Sequence, residues 1–187
     1  MPRTKNYNEQ EVIEKAMNLF WRNGFETTSM HMLEQEMGIN KFSIYASFGN
    51  KQGVFLESLR CYKQKLDVLI HRMEQSDLGI ASIKNYFYDF IDFSKDFEFG
   101  KGCLISNTAN ELGSDIDAQL KTTLTQYTQS VRNVFKNILQ QDSSKSTALI
   151  NQEADYLIIA MFGLSSATKS FTTQQLHHYI ENIFKGL

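Results

Sequence analysis

The sequence predicts an all-α fold, with nine helices in a two-domain architecture. Three observations carry that expectation. The single proline, Pro2, precedes every periodic segment, so nothing later in the 187 residues interrupts a helical hydrogen-bond ladder. Apolar residues recur at three- and four-residue spacing, and no sustained apolar/polar alternation bounded by turn residues occurs. Glycines and short polar residues fall between the periodic stretches, where helices stop and start.

The first helix is expected from about Asn8 to Asn23. Asn8 can cap it, with Glu11 in capping-box position, and Val12, Ile13, Ala16, Met17 and Phe20 form one apolar stripe. Gly24 stands where a left-handed C-terminal stop is wanted. The second helix starts at Thr28 or Ser29 and buries Met30, Leu33 and Met37. Gly38 makes the turn, because glycine accepts positive φ without a Cβ clash. Ile39 plugs the core beneath it. Asn40 caps a third helix, Lys41 to about Ala46, with Ile44 inward and Phe48 packed toward the fourth. The fourth helix opens at Asn50 and continues to about Gln75.

A fifth helix runs from Ile80 to about Lys95, and the stretch from Asp96 to Gly102 reads as a loop. A short sixth helix spans Cys103 to Leu112 and ends at Gly113. Ser114 is expected to cap a long seventh helix, in which Ile116, Leu120, Leu124, Tyr127, Val131, Val134 and Ile138 recur as in a bundle. The last two helices run from about Leu149 to Ser170 and from Thr173 to Lys185. The former is apolar nearly all round, through Tyr156, Ile159 and Phe162. A terminal hairpin with that much apolar surface is a candidate dimer interface.

The segment from Gly24 to Lys51 has the layout of a helix-turn-helix followed by an aromatic-rich exit. Such a motif places its second helix in the major groove of double-stranded DNA. Charge gives no help: the net charge is −2, and the first 51 residues carry six cations and six glutamates. Binding would then lean on helix N-termini and hydrogen bonds. Lys51 opposes the dipole of the helix it opens, which invites a phosphate as its reason. Glu34 would be costly if buried alone, so it must reach solvent or a cation.

Other classes are disfavoured. No apolar run approaches the roughly 20 residues that span a bilayer, and the polar start is not a secretory signal, so no membrane partner and a cytoplasmic location are expected. Cys61 and Cys103 make neither a disulfide framework nor a zinc site. His177 and His178 point about 100° apart on a helix and cannot share a metal. No HExxH, GxxxxGK[ST] or GxSxG pattern occurs, so no catalytic residues, metal or cofactor are expected and the chain is not read as an enzyme.

The pattern Gly24-Phe25, Thr28-Ser29, Leu33, Gly38-Ile39, Lys41, Ser43-Ile44-Tyr45, Phe48 and Lys51 resembles the DNA-binding domain of TetR-type transcriptional regulators. The resemblance is dense over Phe20 to Leu56, and Lys101 to Leu112 is similar to the sixth-helix region of many members. It implies a helix-turn-helix domain over residues 1–50. Residues 51–187 would form a ligand-binding and dimerisation domain, with 51–75 as connecting helix. By carry-over, Thr28, Ser29, Lys41, Phe42, Ser43, Tyr45 and Lys51 would contact DNA, with Phe42 able to meet a thymine methyl. A pocket for a small-molecule effector would draw on Phe87, Phe90, Cys103, Asn107, Tyr127, Tyr156 and Phe162. Cys103, opening the sixth helix, is a candidate thiol sensor. The chain would be a ligand-responsive repressor that binds a palindromic operator as a homodimer through its last two helices. The alternative is a helical interaction protein whose helix-turn-helix no longer binds DNA.

Overall fold

The computed structural model describes residues 7–96, 99–112 and 117–187. Among the described residues there are nine α-helices: α1 (Glu9–Asn23), α2 (Met30–Met37), α3 (Lys41–Phe48), α4 (Lys51–Glu74), α5 (Ile80–Ser94), α6 (Leu104–Leu112), α7 (Ala118–Leu139), α8 (Thr147–Ala167) and α9 (Thr173–Ile183). No helix is long and apolar enough to cross a membrane among them.

Local chemistry starts most of these helices. Asn8 accepts from the Gln10 and Glu11 amides, Ser29 from Met32, Asn40 from Ser43, and Asn50 from Gly53. Each side chain satisfies an amide that the helix leaves without an internal partner. Gly38 turns the chain between α2 and α3 at φ 69°, ψ 23°, the left-handed conformation that glycine adopts freely. Glu34 has a more specific use than solvation. Its carboxylate accepts from the Lys41 amide at 2.8 Å, adding a second cap to α3.

Several boundaries differ from expectation. α3 continues through Ser47 to Phe48 and closes on Gly49, because Phe48 packs against the core and carries the helix two residues further. After α5 the chain makes a two-residue antiparallel ladder, pairing Lys95 with Gly100 and Asp96 with Phe99. A ladder that short leaves no alternation to read. The described part of α7 begins at Ala118, where Asp117 accepts from Gln119 and Leu120. Gly113, Ser114 and Ile116 lie outside the described residues. α9 starts with a capping box between Thr172 and Gln175 and ends in a 3-10 turn, Phe184–Gly186.

The apolar faces meet in one core. α1 lies along α4, and α7 against α8. Val12, Ile13, Ala16, Met17 and Phe20 are buried with Val54, Phe55 and Tyr62 of α4. Two further ties join α1 and the turn after it to α6. The Trp21 indole donates to the Gly102 carbonyl at 3.1 Å, with its ring edge-on to Tyr62 and tilted over Phe93. The Glu111 carboxylate accepts from both the Phe25 and Glu26 amides, each at 2.8 Å. Gly24 makes room for that second tie: a Cβ there would lie 2.6 Å from the Glu111 carboxylate, at a φ of +84°. Its ψ of 172° departs from the left-handed helical stop expected of it.

Replacing Trp21 by Phe keeps a ring but leaves the Gly102 carbonyl unpaired. Stability should fall by about 1–3 kcal/mol in denaturant unfolding. An unchanged unfolding midpoint would show that the indole hydrogen bond contributes nothing.

Candidate nucleic-acid interface and internal cavity

α3 is held by three devices: the Asn40 and Glu34 caps at its start, buried Ile44 beneath it, and the Gly49 stop. These leave its outer face to solvent. Phe42 is 75% exposed although it is a large apolar side chain, and Tyr45 is 43% exposed. The Lys41 ammonium stands 5.9 Å from the Tyr45 ring centroid, so a cation, a phenol and an apolar ring share one face. Ser29 is exposed at the start of α2, and Ser43 is half-buried on α3. This face offers a positive charge, hydroxyls and an apolar contact without its own carboxylate. Glu34 is engaged by the Lys41 amide.

Two residues expected on this face are used elsewhere. Thr28 is fully buried, and its hydroxyl donates to the Gly24 carbonyl at 2.6 Å. It closes the α1–α2 connection and has no route to a phosphate. The Lys51 ammonium donates to the Phe25 carbonyl at 2.9 Å and lies 4.3 Å from the Phe25 ring centroid. That carbonyl and ring supply the reason for a cation placed against the α4 dipole. Lys51 is a strut between α4 and the α1–α2 turn. Ser47 accepts or donates in a 2.6 Å hydrogen bond with Tyr7, which ties the approach to α1 onto α3.

A cavity of about 30 Å3 lies between α4, α5, α6, α7 and α8. Phe90, Cys103, Tyr127 and Phe162 line it together with Tyr86, Ser106 and Ser165. Among the described residues, no charged side chain lines it. The serines are occupied: they bond to each other at 2.8 Å, and the Cys103 amide donates to Ser165 at 2.8 Å. Phe87, Asn107 and Tyr156 are absent from this cavity. Phe87 is turned into the α5–α7–α9 core against Phe135 and Phe184. The Asn107 amide donates back to the Lys101 carbonyl at 2.8 Å, closing the turn before α6. Tyr156 is 46% exposed on the outer face of α8. Helical spacing places all three on apolar helices, but which side of each helix meets the void depends on the crossing of its neighbours.

Sequence reasoning left out Tyr62, which is fully buried. The Tyr62 and Tyr127 hydroxyls are buried without a hydrogen-bond partner among the described residues. Burial pushes the Tyr62, Tyr86 and Tyr127 phenols well above their ordinary range, and Cys103 adds to the effect on all three. Each is therefore a neutral hydroxyl near neutral pH. Glu111 and Trp21 were also unread. Trp21 carries a faint signal, as the only tryptophan, one position off the α1 stripe.

An exposed short helix, set across a glycine turn from its partner and carried on a larger helical body, defines a helix-turn-helix protein. The family model described as bacterial regulatory proteins, tetR family, matches residues 12–58. An uncharacterized HTH-type transcriptional regulator of Bacillus subtilis (strain 168), YezE, is 30% identical over 112 residues, 59% of this chain and 58% of that one. IcaR of Staphylococcus aureus, the HTH-type negative transcriptional regulator of the biofilm operon icaADBC, is 22% identical over 60% of this chain and 61% of its own. The chain thus spans about three fifths of the length of these curated relatives. A cysteine mutant of the TetR family regulator CifR, complexed with 26bp double-strand operator DNA, shares the fold at TM-score 0.85 and 21% identity, covering 97% of both chains. Reduced NemR of E. coli shares it at TM-score 0.80 and 16% identity, covering 94% of both chains. Residues 12–58 thus match a tetR-family model, and the chain shares the fold of solved TetR-family regulators.

Tyr127→Phe removes a buried hydroxyl that has no partner among the described residues. The unliganded variant should be more stable by about 1 kcal/mol, read from its unfolding midpoint. A loss of stability instead would reveal a partner for that hydroxyl. Alkaline titration gives a second check. The three phenols have folded values above the unfolded value of 10.0, so their contribution to stability is intact below that pH and is lost as pH rises past it. Their tyrosinate absorbance should appear only as the protein unfolds. Full titration of all eight tyrosines in the folded state would contradict the burial.

Proposed function

We propose that this chain is a cytoplasmic transcriptional regulator acting as a repressor, and that a homodimer binds a palindromic operator and is released by a small-molecule effector. The observation that carries the reading is the outer face of α3. A helix capped at its start, buried through Ile44 and bearing an exposed Phe42 beside Lys41 and Tyr45 has no intramolecular reason for that surface. A major groove supplies one, since it offers phosphates to the cation and hydroxyls and thymine methyls to the ring. Ser29, Lys41, Phe42, Ser43 and Tyr45 form the contact set. Residues 1–50 act as the DNA-binding domain and 51–187 as the effector and dimerisation domain. Glu34 does not argue for a motif without DNA, because its carboxylate caps α3.

The outer faces of α8 and α9 support the dimer. Tyr156, Ile159, Phe162, Phe171 and Tyr179 are exposed there, and Ile159 is 69% exposed. A contiguous apolar surface of this kind is the mark of a self-complementary interface. Two recognition helices carried by a twofold pair read half-sites about one DNA turn apart. Release needs only an effector that binds one dimer geometry more tightly than the other. The route for it runs through α6, which lines the cavity with Cys103 and Ser106 near its start and holds the α1–α2 turn with Glu111 at its end.

Binding to DNA from around the chain's own gene, titrated at two salt concentrations, tests the reading. Tight binding that weakens as salt rises is expected, and its absence at both concentrations would overturn it. Tyr45→Ala should weaken that binding about ten-fold while leaving the unfolding midpoint unchanged. Ile159→Glu should convert the dimer to a monomer in sedimentation and abolish operator binding. A dimeric, DNA-binding Ile159→Glu variant would remove α8–α9 as the interface.

A further inference from the structure

Phe42 stands on the outer face of α3 with three quarters of its surface in solvent. It lies in the first turn of that helix, after Lys41 and before Ser43. The buried side of α3 is held by Ile44, so the Phe42 ring is not needed to seat the helix. In a helix-turn-helix, the N-terminal residues of the second helix are the ones that reach base edges. The Phe42 side chain carries no donor or acceptor, so it cannot read a base by hydrogen bonding.

The start of α3 is also closed to phosphate. The Lys41 amide donates to the Glu34 carboxylate at 2.8 Å, and the Ser43 amide donates to the Asn40 side chain at 2.8 Å. Two of the N–H groups with which a helix end grips an anion are therefore occupied. The Glu34 charge, fixed against that end, repels a phosphate as well. The first turn thus offers DNA an apolar ring and not an anion grip. Among the base edges of the major groove, one group is apolar: the C5-methyl of thymine.

We propose that Phe42 selects the operator sequence by packing on a thymine methyl in each half-site. The inference rests on the reading of α3 as the recognition helix, and it names the base that this helix selects. A methyl withdrawn from water against the ring is worth about four-fold in affinity. Two half-sites in one operator give about fifteen-fold. Cytosine at the same place would present an amino donor that the ring leaves unpaired.

The test copies the DNA from around the chain's own gene twice, once with thymidine triphosphate and once with deoxyuridine triphosphate in its place. Each copy is titrated with the full chain. Uracil pairs as thymine does and lacks only the methyl, and both copies carry the same phosphates. The parent should bind the thymine copy about fifteen-fold more tightly. Phe42→Ala should bind the thymine copy about as weakly as the parent binds the uracil copy, and its difference between the copies should vanish. Because Phe42 is exposed, the truncation opens no core. Both proteins meet the same two fragments, so an effect of uracil on duplex shape alone would persist in the variant. Equal affinity of the parent for both copies, or a thymine preference undiminished in Phe42→Ala, would overturn the proposal while leaving DNA binding intact. Failure of the parent to bind either copy would overturn the reading of α3 itself, and the proposal with it.

Discussion

The grip of Glu111 on the Phe25 and Glu26 amides is the constraint on which the arrangement depends. α1 and α4 are packed along their length, and the turn between α1 and α2 adds to that core only the Phe25 ring, which lies against Phe20 and Phe55. Its backbone is anchored from three sides. Glu111 takes two amides, Lys51 takes the Phe25 carbonyl, and Thr28 takes the Gly24 carbonyl. Each tie satisfies a polar group that the turn exposes, and together they set where α2 begins. α3 follows α2 rigidly, through the Gly38 turn and the Glu34 cap. The direction in which Phe42 and Tyr45 point therefore depends on a carboxylate more than sixty residues away.

The same helix that carries Glu111 borders the cavity at its other end. α6 is only nine residues long, so a shift imposed near Ser106 cannot be absorbed within it. Trp21 makes the coupling tighter, since its indole holds the Gly102 carbonyl just before α6 while its ring lies against Tyr62 and Phe93. Packed elements of this kind move between discrete arrangements. Tyr127 of α7 borders the same cavity. A ligand shifts a population only by the difference in its affinity for two such arrangements.

The helix-turn-helix was legible because its signals are local. Asn40, Gly38, Ile44 and the α1 stripe act within a few residues, and so do their sequence patterns. Thr28 and Lys51 show where local reading fails. A threonine before a helix and a lysine at a helix start look alike whether they meet a phosphate or a backbone carbonyl. The deciding partners, the carbonyls of Gly24 and Phe25, belong to the shape of the turn. Phe87, Asn107 and Tyr156 fail for a related reason. Periodicity says that a residue lies on an apolar helix, but the crossing of five helices decides which apolar side meets a void. Glu111 was illegible for the longest-range reason: its partners are 85 and 86 positions distant, and an acidic residue near a helix end has no local mark of such a bond.

The most direct test of this account is the operator affinity of Glu111→Ala, in which every residue on the outer face of α3 is intact. If the α6 carboxylate sets the direction of the recognition helix, the variant should bind operator at least about ten-fold more weakly, the worth of one lost charge-assisted hydrogen bond or more. Affinity equal to the parent would mean that the turn holds its position without α6, and the proposed path from cavity to DNA would be broken.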